Sequence, residues 1–324
     1  MKQILVFTAK TDIHCDKVAI KLREMNCDIV RINTEDIPNN LQYTITQNRN
    51  ETIIDFEISD SNISINTKNI YSIWFRKPEK PVLNESFNSV AQKYIETEQA
   101  RFLQSLYGLL SDKKWVNPFW ANKIASQKLP NHTLASKLGL RVPKTLVTNN
   151  YNSIQSFLKI CNNQVILKSF NFGGFSMQDN TSWACFAKKV SISDLEKYKS
   201  SVQLAPVFLQ EYIEKKFELR ITIVGKKVFT AKIESQNNKE SIEDFRAVSS
   251  YDLAHKEFQL PIIIENRLLE FNRFYNLEFS TFDVIVTPNH EYVFLECNPN
   301  GQWLWIEDLT NMPLSLELAK HLSN

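Results

Sequence analysis

The 324-residue chain has only six glycines, and its five cysteines, at 15, 27, 161, 185 and 297, include no C-x-x-C pair. An odd set without ligand spacing excludes a disulfide framework and a zinc site, and reads as reduced thiols in a cytoplasmic protein. The five histidines, 14, 132, 255, 290 and 321, are scattered. With no Ser-His-Asp arrangement and no nucleophile elbow, hydrolase chemistry is excluded too. No apolar run reaches membrane-spanning length, and Met1 to Phe7 is too short for a signal peptide. Thirty-eight basic against thirty-six acidic residues leave a net charge of +2. Such a balance provides no bulk field for a nucleic acid or an anionic membrane.

What is present is a globular composition, 43% hydrophobic and 23% charged, at a length that calls for two or three lobes. Ile4–Phe7, a helical spacing over 16–25 and Asp28–Ile32 predict a β-α-β opening with a small parallel sheet. Hairpins are expected between 43 and 65, a strand at 70–76 and a long amphipathic helix over 84–110. The apolar stripe of that helix (Phe87, Val90, Tyr94, Phe102, Leu106, Leu109) reads as core in preference to a dimer interface. One continuous helix is expected from Lys123 to Leu138, stopped by Gly139. Further strands are expected at 144–147, 164–168, 207–212, 217–224 and 227–234, with a helix around 267–274 and a final helix over 313–322.

The most informative stretch runs from Asp283 to Gly301. Two apolar runs flank Thr-Pro-Asn-His, a turn signal, and predict a β-hairpin. Alternation along a strand puts Glu296 and Asn298 on one face, where Asp283 of the partner strand can join them. Two carboxylates and an amide oxygen are hard ligands that suit Mg²⁺ carried by a nucleotide. A solvated hairpin with ordinary polar ends is the plain alternative.

The pattern D…E-x-N-P-N-G resembles the metal-binding end of the ATP-grasp superfamily, and more closely the ligases that macrocyclise microviridin-type peptides, the graspetides. The likeness is strongest from about Asn117 to Glu307. It implies an α/β (α+β) ATP-grasp fold in three units: an N-terminal pre-ATP-grasp domain over 1–116, a central domain over 117–205 and a C-terminal ATP-binding domain over 206–324. It also implies ATP and Mg²⁺ as cofactors. Lys123, Lys168 and the loop glycines Gly173 and Gly174 match the family's phosphate contacts, with Arg246 and Lys232 as further cations. Gln210, Glu211, Tyr212 and Ile213 match the hinge that cradles adenine. Glu218 and Arg220 form an acidic-x-Arg pair on one strand face. By resemblance Arg220 holds the acceptor carboxylate, and Glu218 takes the proton from an attacking hydroxyl. Many relatives carry aspartate where Glu218 stands, so its reach is open. Arg76 resembles a recurrent element of the first domain and is expected to pack or to serve a dimer contact, not to react.

The implied activity joins Asp or Glu side chains of a ribosomally made precursor to Thr or Ser hydroxyls through an acyl phosphate, after a leader segment docks near 190–260. A homodimer is implied as well. An ATP-grasp ligase forming amides on a peptide, a protein tail or a small molecule shares the same spine. A nucleotide-binding protein without activity would have lost a ligand or a lysine, and none is missing. A carbohydrate- or RNA-binding module fits neither the charge nor the ligand set.

Overall fold

The structure is a computed structural model that describes residues 2–59, 63–83, 87–170, 175–176, 182–183 and 186–324; Gly173 and Gly174 lie outside them. The chain opens with β1 (Gln3–Thr8), α1 (Ile13–Glu24) and β2 (Asp28–Asn33), the expected β-α-β unit with its strands in parallel. Asp12 caps α1 by accepting the His14 N–H. The alternating segment forms β3 (Leu41–Gln47), β4 (Thr52–Ile58) and β5 (Ile63–Asn66), a three-stranded antiparallel sheet. β6 (Ile70–Phe75) returns to pair with β1, α2 (Ser89–Leu109) crosses over, and β7 (Lys114–Val116) completes a sheet ordered β2-β1-β6-β7. Along α2 the expected stripe divides. Leu103, Leu106 and Tyr107 are buried, whereas Phe87, Val90 and Tyr94 are exposed.

The single helix expected from 123 to 138 is broken at Ser126 and Gln127 into α3 (Phe119–Ala125) and α4 (Lys128–Lys137). Gly139, at φ +81°, ends α4 in the left-handed region as expected. Next come β8 (Thr145–Thr148), α5 (Tyr151–Ile160), β9 (Val165–Lys168), the short pair β10 (Phe175–Ser176) and β11 (Ser182–Trp183), β12 (Lys188–Lys189), α6 (Ile192–Lys197) and β13 (Val207–Glu211). They build a four-stranded sheet ordered β12-β9-β13-β8. The remaining elements are β14 (Phe217–Val224), β15 (Lys227–Ile233), β16 (His255–Glu257), α7 (Ile262–Tyr275), β17 (Phe279–Val286), β18 (Tyr292–Asn298), α8 (Leu304–Thr310) and α9 (Leu314–Ser323). The strands among them form an antiparallel sheet ordered β16-β15-β14-β17-β18.

Packing relates these sheets unequally. Alternation along β1 sends Leu5 and Phe7 to a core shared with α2 and the three-stranded sheet. Ile4 and Val6 face the other way, into a core that also holds Val224, Phe279, Trp303 and the α9 residues Leu314, Leu318 and Leu322. The first and last parts of the chain therefore share one apolar interior. Ala125, Leu134 and Ala135 of α3 and α4 pack with Leu219, Phe282 and Leu268 of the C-terminal sheet and α7. The four-stranded β8–β13 sheet instead keeps a core of its own, around Ile154, Phe157, Leu158 and Leu209.

Candidate active site

Strand register assembles the charged centre. Across the C-terminal sheet Arg220 pairs with Asp283, and Asp283 with Glu296, which places the three side chains in one row on one face. Thr281 pairs with Asn298 one step along, so Asn298 joins the same face. The register shifts after Asp283, a β-bulge that leaves Leu295 as the extra residue of β18. Leu295 packs with Ile213, Ile285 and Val293, an apolar floor that runs up to the carboxylates.

Arg220 donates to both Asp283 oxygens, at 2.7 and 3.0 Å, and to the Gln302 carbonyl at 3.2 Å. Glu296 accepts the Asn298 amide at 3.1 Å and lies 3.5 Å from Lys128 Nζ. Burial, and then the neighbouring Glu296, push the Asp283 carboxyl up to about 6 against the pull of Arg220. Glu296 moves the other way. Burial would raise it too, but Lys128, Lys168 and Arg246 outweigh that and hold it below the ordinary glutamate range. The pair is thus asymmetric, with one carboxylate firmly ionised and one near its titration.

Two cavities meet at this row. One is lined by Ile166, Lys168, Gln210 to Ile213, Lys215, Glu218, Arg246, Ile285 and Leu295, with Asp283 and Glu296 at its end. Flat apolar walls leading to cations and carboxylates have the polarity of a nucleoside phosphate. Lys168 ends β9 there, its pKa lowered by burial although Glu296 opposes the shift. At the hinge, the Glu211 and Tyr212 N–H groups bond the Lys144 and Gln164 carbonyls, both at 2.9 Å. The Ile213 N–H meets no acceptor among the described residues. The Gln210 side chain is buried against Thr145 and His132, at 3.0 and 3.3 Å, and the Glu211 carboxylate faces Lys144 at 3.5 Å. Backbone, not these two side chains, is what the hinge presents.

The second cavity is a wide cleft on the far side of the row, between the segment following β6, α2, α3 and the loop after β18. Arg76, Lys77, Lys80, Lys123, Arg220 and Arg246 line it against Glu79, Asp283 and Glu296. An excess of cations in a nearly neutral chain makes this cleft suited to a carboxylate-bearing ligand.

Several expected residues sit differently. Lys232 pairs in register with Leu219, so period two puts it on the face opposite Arg220. There it bonds Glu234 at 2.5 Å and lies over the Phe217 ring, away from both cavities; a phosphate contact is not supported. Glu218 faces the first cavity and not the cleft, held at 3.0 Å by buried Lys215. That separates it from Arg220, with which its expected proton-accepting role was paired. Lys123 is exposed in the cleft beside the Phe119 ring. Arg246 is gripped by Asp244 through Nε and Nη2, at 2.8 and 2.6 Å. Hydrogen bonding to Asp244 raises the Arg246 pKa, and Asp244 is lowered to about 2 as Arg246 overcomes the effect of burial. The sequence reading missed Lys128 and Lys215. Lys128 bonds the Ser169 carbonyl at 2.9 Å and reaches Glu296 because the break at 126–127 restarts the helix there. The available signals were a second lysine five positions after Lys123 and Pro130, which interrupts a continuous helix.

Among the described residues no cluster of three His, Cys, Asp or Glu side chains forms a complete metal cage. Two carboxylates and one amide fit a cation whose remaining ligands arrive with a nucleotide and water.

Residues 3–123 match the family model of the MvdD pre-ATP grasp domain. No functionally curated protein sequence matches the chain. A RiPP-associated ATP-grasp ligase of Chryseobacterium gregarium, solved with ADP and a leader and core peptide, superposes with a TM-score of 0.90 at 26% identity, covering 100% of this chain and 97% of that one. The chain is an ATP-grasp ligase. Macrocyclase MdnB from Microcystis aeruginosa MRC is also 26% identical, with a TM-score of 0.82 and 99% of each chain covered. Its counterpart MdnC, bound with precursor peptide MdnA, is 24% identical, with a TM-score of 0.86 over 100% of both chains. In this ATP-grasp ligase, no helix among the described residues is long and apolar enough to cross a membrane.

Proposed function

We propose that the ligase closes side-chain rings in a ribosomally made precursor peptide, consuming one ATP per bond. The observation that carries this reading is the Arg220–Asp283–Glu296 row, set between an apolar cavity and a cation-rich cleft. ATP occupies the cavity, its base at the backbone of Tyr212 and Ile213 and its phosphates toward Lys168, Lys128 and Arg246. Gly173 and Gly174 follow Lys168 in sequence and belong to the same phosphate contact by resemblance. Asp283, Glu296 and Asn298 would hold Mg²⁺, which neutralises developing charge on the phosphates. The precursor's core lies in the cleft, and a leader docked elsewhere supplies affinity.

Arg220, freed from Asp283 when that carboxylate turns to the metal, clamps an Asp or Glu carboxylate of the core through its planar fork. A carboxylate oxygen attacks the γ-phosphorus and ADP leaves, giving an acyl phosphate. A Thr or Ser hydroxyl then attacks the acyl carbon and phosphate departs with the bonding pair. The hydroxyl proton leaves with phosphate or solvent. Glu218, salt-bridged to Lys215 inside the nucleotide cavity, fixes that lysine and does not take the proton. The sum is peptide plus ATP giving ring, ADP and phosphate, with one water mass lost from the peptide.

Incubating the ligase with its candidate precursor, ATP and Mg²⁺ and weighing the peptide tests this. One water mass should disappear per ring, with equal ADP. ATP turnover that leaves a verified precursor unchanged in mass would refute the ring-closing reading.

A further inference from the structure

Arg76 is among the largest fully buried side chains, with 1% of its surface exposed, and it belongs to the first sheet's edge of the cleft. Its Nη1 donates to the Asn300 carbonyl at 2.6 Å, joining positions 224 residues apart in the chain. The guanidinium lies 5.0 Å from the centre of the Trp303 ring, and its Nε is 3.6 Å from Asp12. Nε and Nη2 meet no hydrogen-bond partner among the described residues. Burying a cation so incompletely compensated is costly, and an apolar side chain of similar size would stabilise the fold better. Stability alone therefore does not account for it.

Its target does. Asn300 belongs to the loop Asn298–Gly301, whose first residue supplies the amide oxygen of the proposed metal set. A second strap holds the same loop, since buried Asn117 donates to the Pro299 carbonyl at 3.0 Å and accepts from the Phe279 N–H at 2.8 Å. Gly301 closes it: a Cβ there would fall 1.8 Å from Thr281 Oγ1, so the loop lies hard against β17. The first sheet thus reaches across the cleft and fixes the backbone that carries Asn298.

We infer that Arg76 is a positioning residue: its bond to the Asn300 carbonyl holds the Asn298–Gly301 loop in the geometry that binds a nucleotide-borne divalent cation. This inference rests on the metal site of the proposed function. Neighbours that orient ligands without touching the metal commonly govern its affinity by about 10- to 100-fold.

Calorimetry of ADP binding to the full-length protein, with and without Mg²⁺, tests it. Arg76→Met should leave metal-free ADP affinity within about twofold of the parent while reducing the Mg²⁺-dependent gain by about tenfold. Arg76→Lys, which can still reach a carbonyl, should recover part of the gain. Asp12→Asn keeps the helix cap but loosens the guanidinium, so it should show a smaller loss of the same kind; it decides the matter if Arg76→Met does not fold. Equal weakening with and without metal would mean a merely structural role and overturn the inference, as would variants with the parent's Mg²⁺ response. If the parent itself shows no Mg²⁺-dependent gain, the proposed metal site fails and the inference falls with it.

Discussion

The two sheets facing each other across the apolar cavity present their polar groups by different means. The C-terminal sheet delivers charge by register: Arg220, Asp283 and Glu296 stand in one cross-strand row, each already paired. The β8–β13 sheet delivers a backbone edge, an apolar wall at Ile166 and a single lysine at the end of β9, while its side chains Gln210 and Glu211 are committed to protein partners. The difference teaches where specificity resides. Charged groups that must stand beside one another are set by the register of a ladder, whereas the other wall offers backbone and a strand-end lysine.

The comparison breaks if the row can be emptied without consequence. Glu296→Ala should cost about 10²–10³-fold in kcat, the loss expected when one preorganised electrostatic group is removed, with leader binding retained. Ring formation at the parent rate would show that the row is not the metal site. A weaker effect is expected on the opposite wall. Burial lowers the pKa of Lys168, so its charge is lost at a pH below that of an ordinary lysine. Phosphate affinity should be full below that lowered value and fall as pH rises through it. Lys168→Arg, which stays charged, should remove the alkaline fall in ATP affinity measured as KM against pH. The smallest effect sharpens the argument from parity: Lys232→Met, on the opposite sheet face, should change KM for ATP by less than about twofold, the surface-substitution range.

The strands were legible because alternation and turn residues report directly on the local backbone. Asp283, Glu296 and Asn298 were legible for the same reason, since period two fixes their common face. Glu218 and Arg220 share a face as expected, but a face is not a cavity, and the two side chains serve opposite sides of the row. Lys232 was named as a further cation by resemblance alone, and the face it occupies is visible only once its partner Leu219 is known. The break at 126–127 is signalled by Pro130, which has no N–H for the Ser126 carbonyl, and the expectation of one continuous helix passed over it. Lys128 therefore looked like one more turn of a helix. Arg76 was the least legible, because its meaning lies in a carbonyl on the far side of the fold.

The apolar interior shared by β1, α1 and α9 has a mechanical consequence. Parting the first sheet from the last would expose Val6, Trp303 and Leu318 to water, so those two layers move as one block. The lobe with its private interior, around Ile154 and Leu209, can tilt against that block without uncovering anything apolar of its own. On the proposed function, admission of a nucleotide and release of spent ADP would fall to that lobe. The jaw beneath it carries the strands of the charged row.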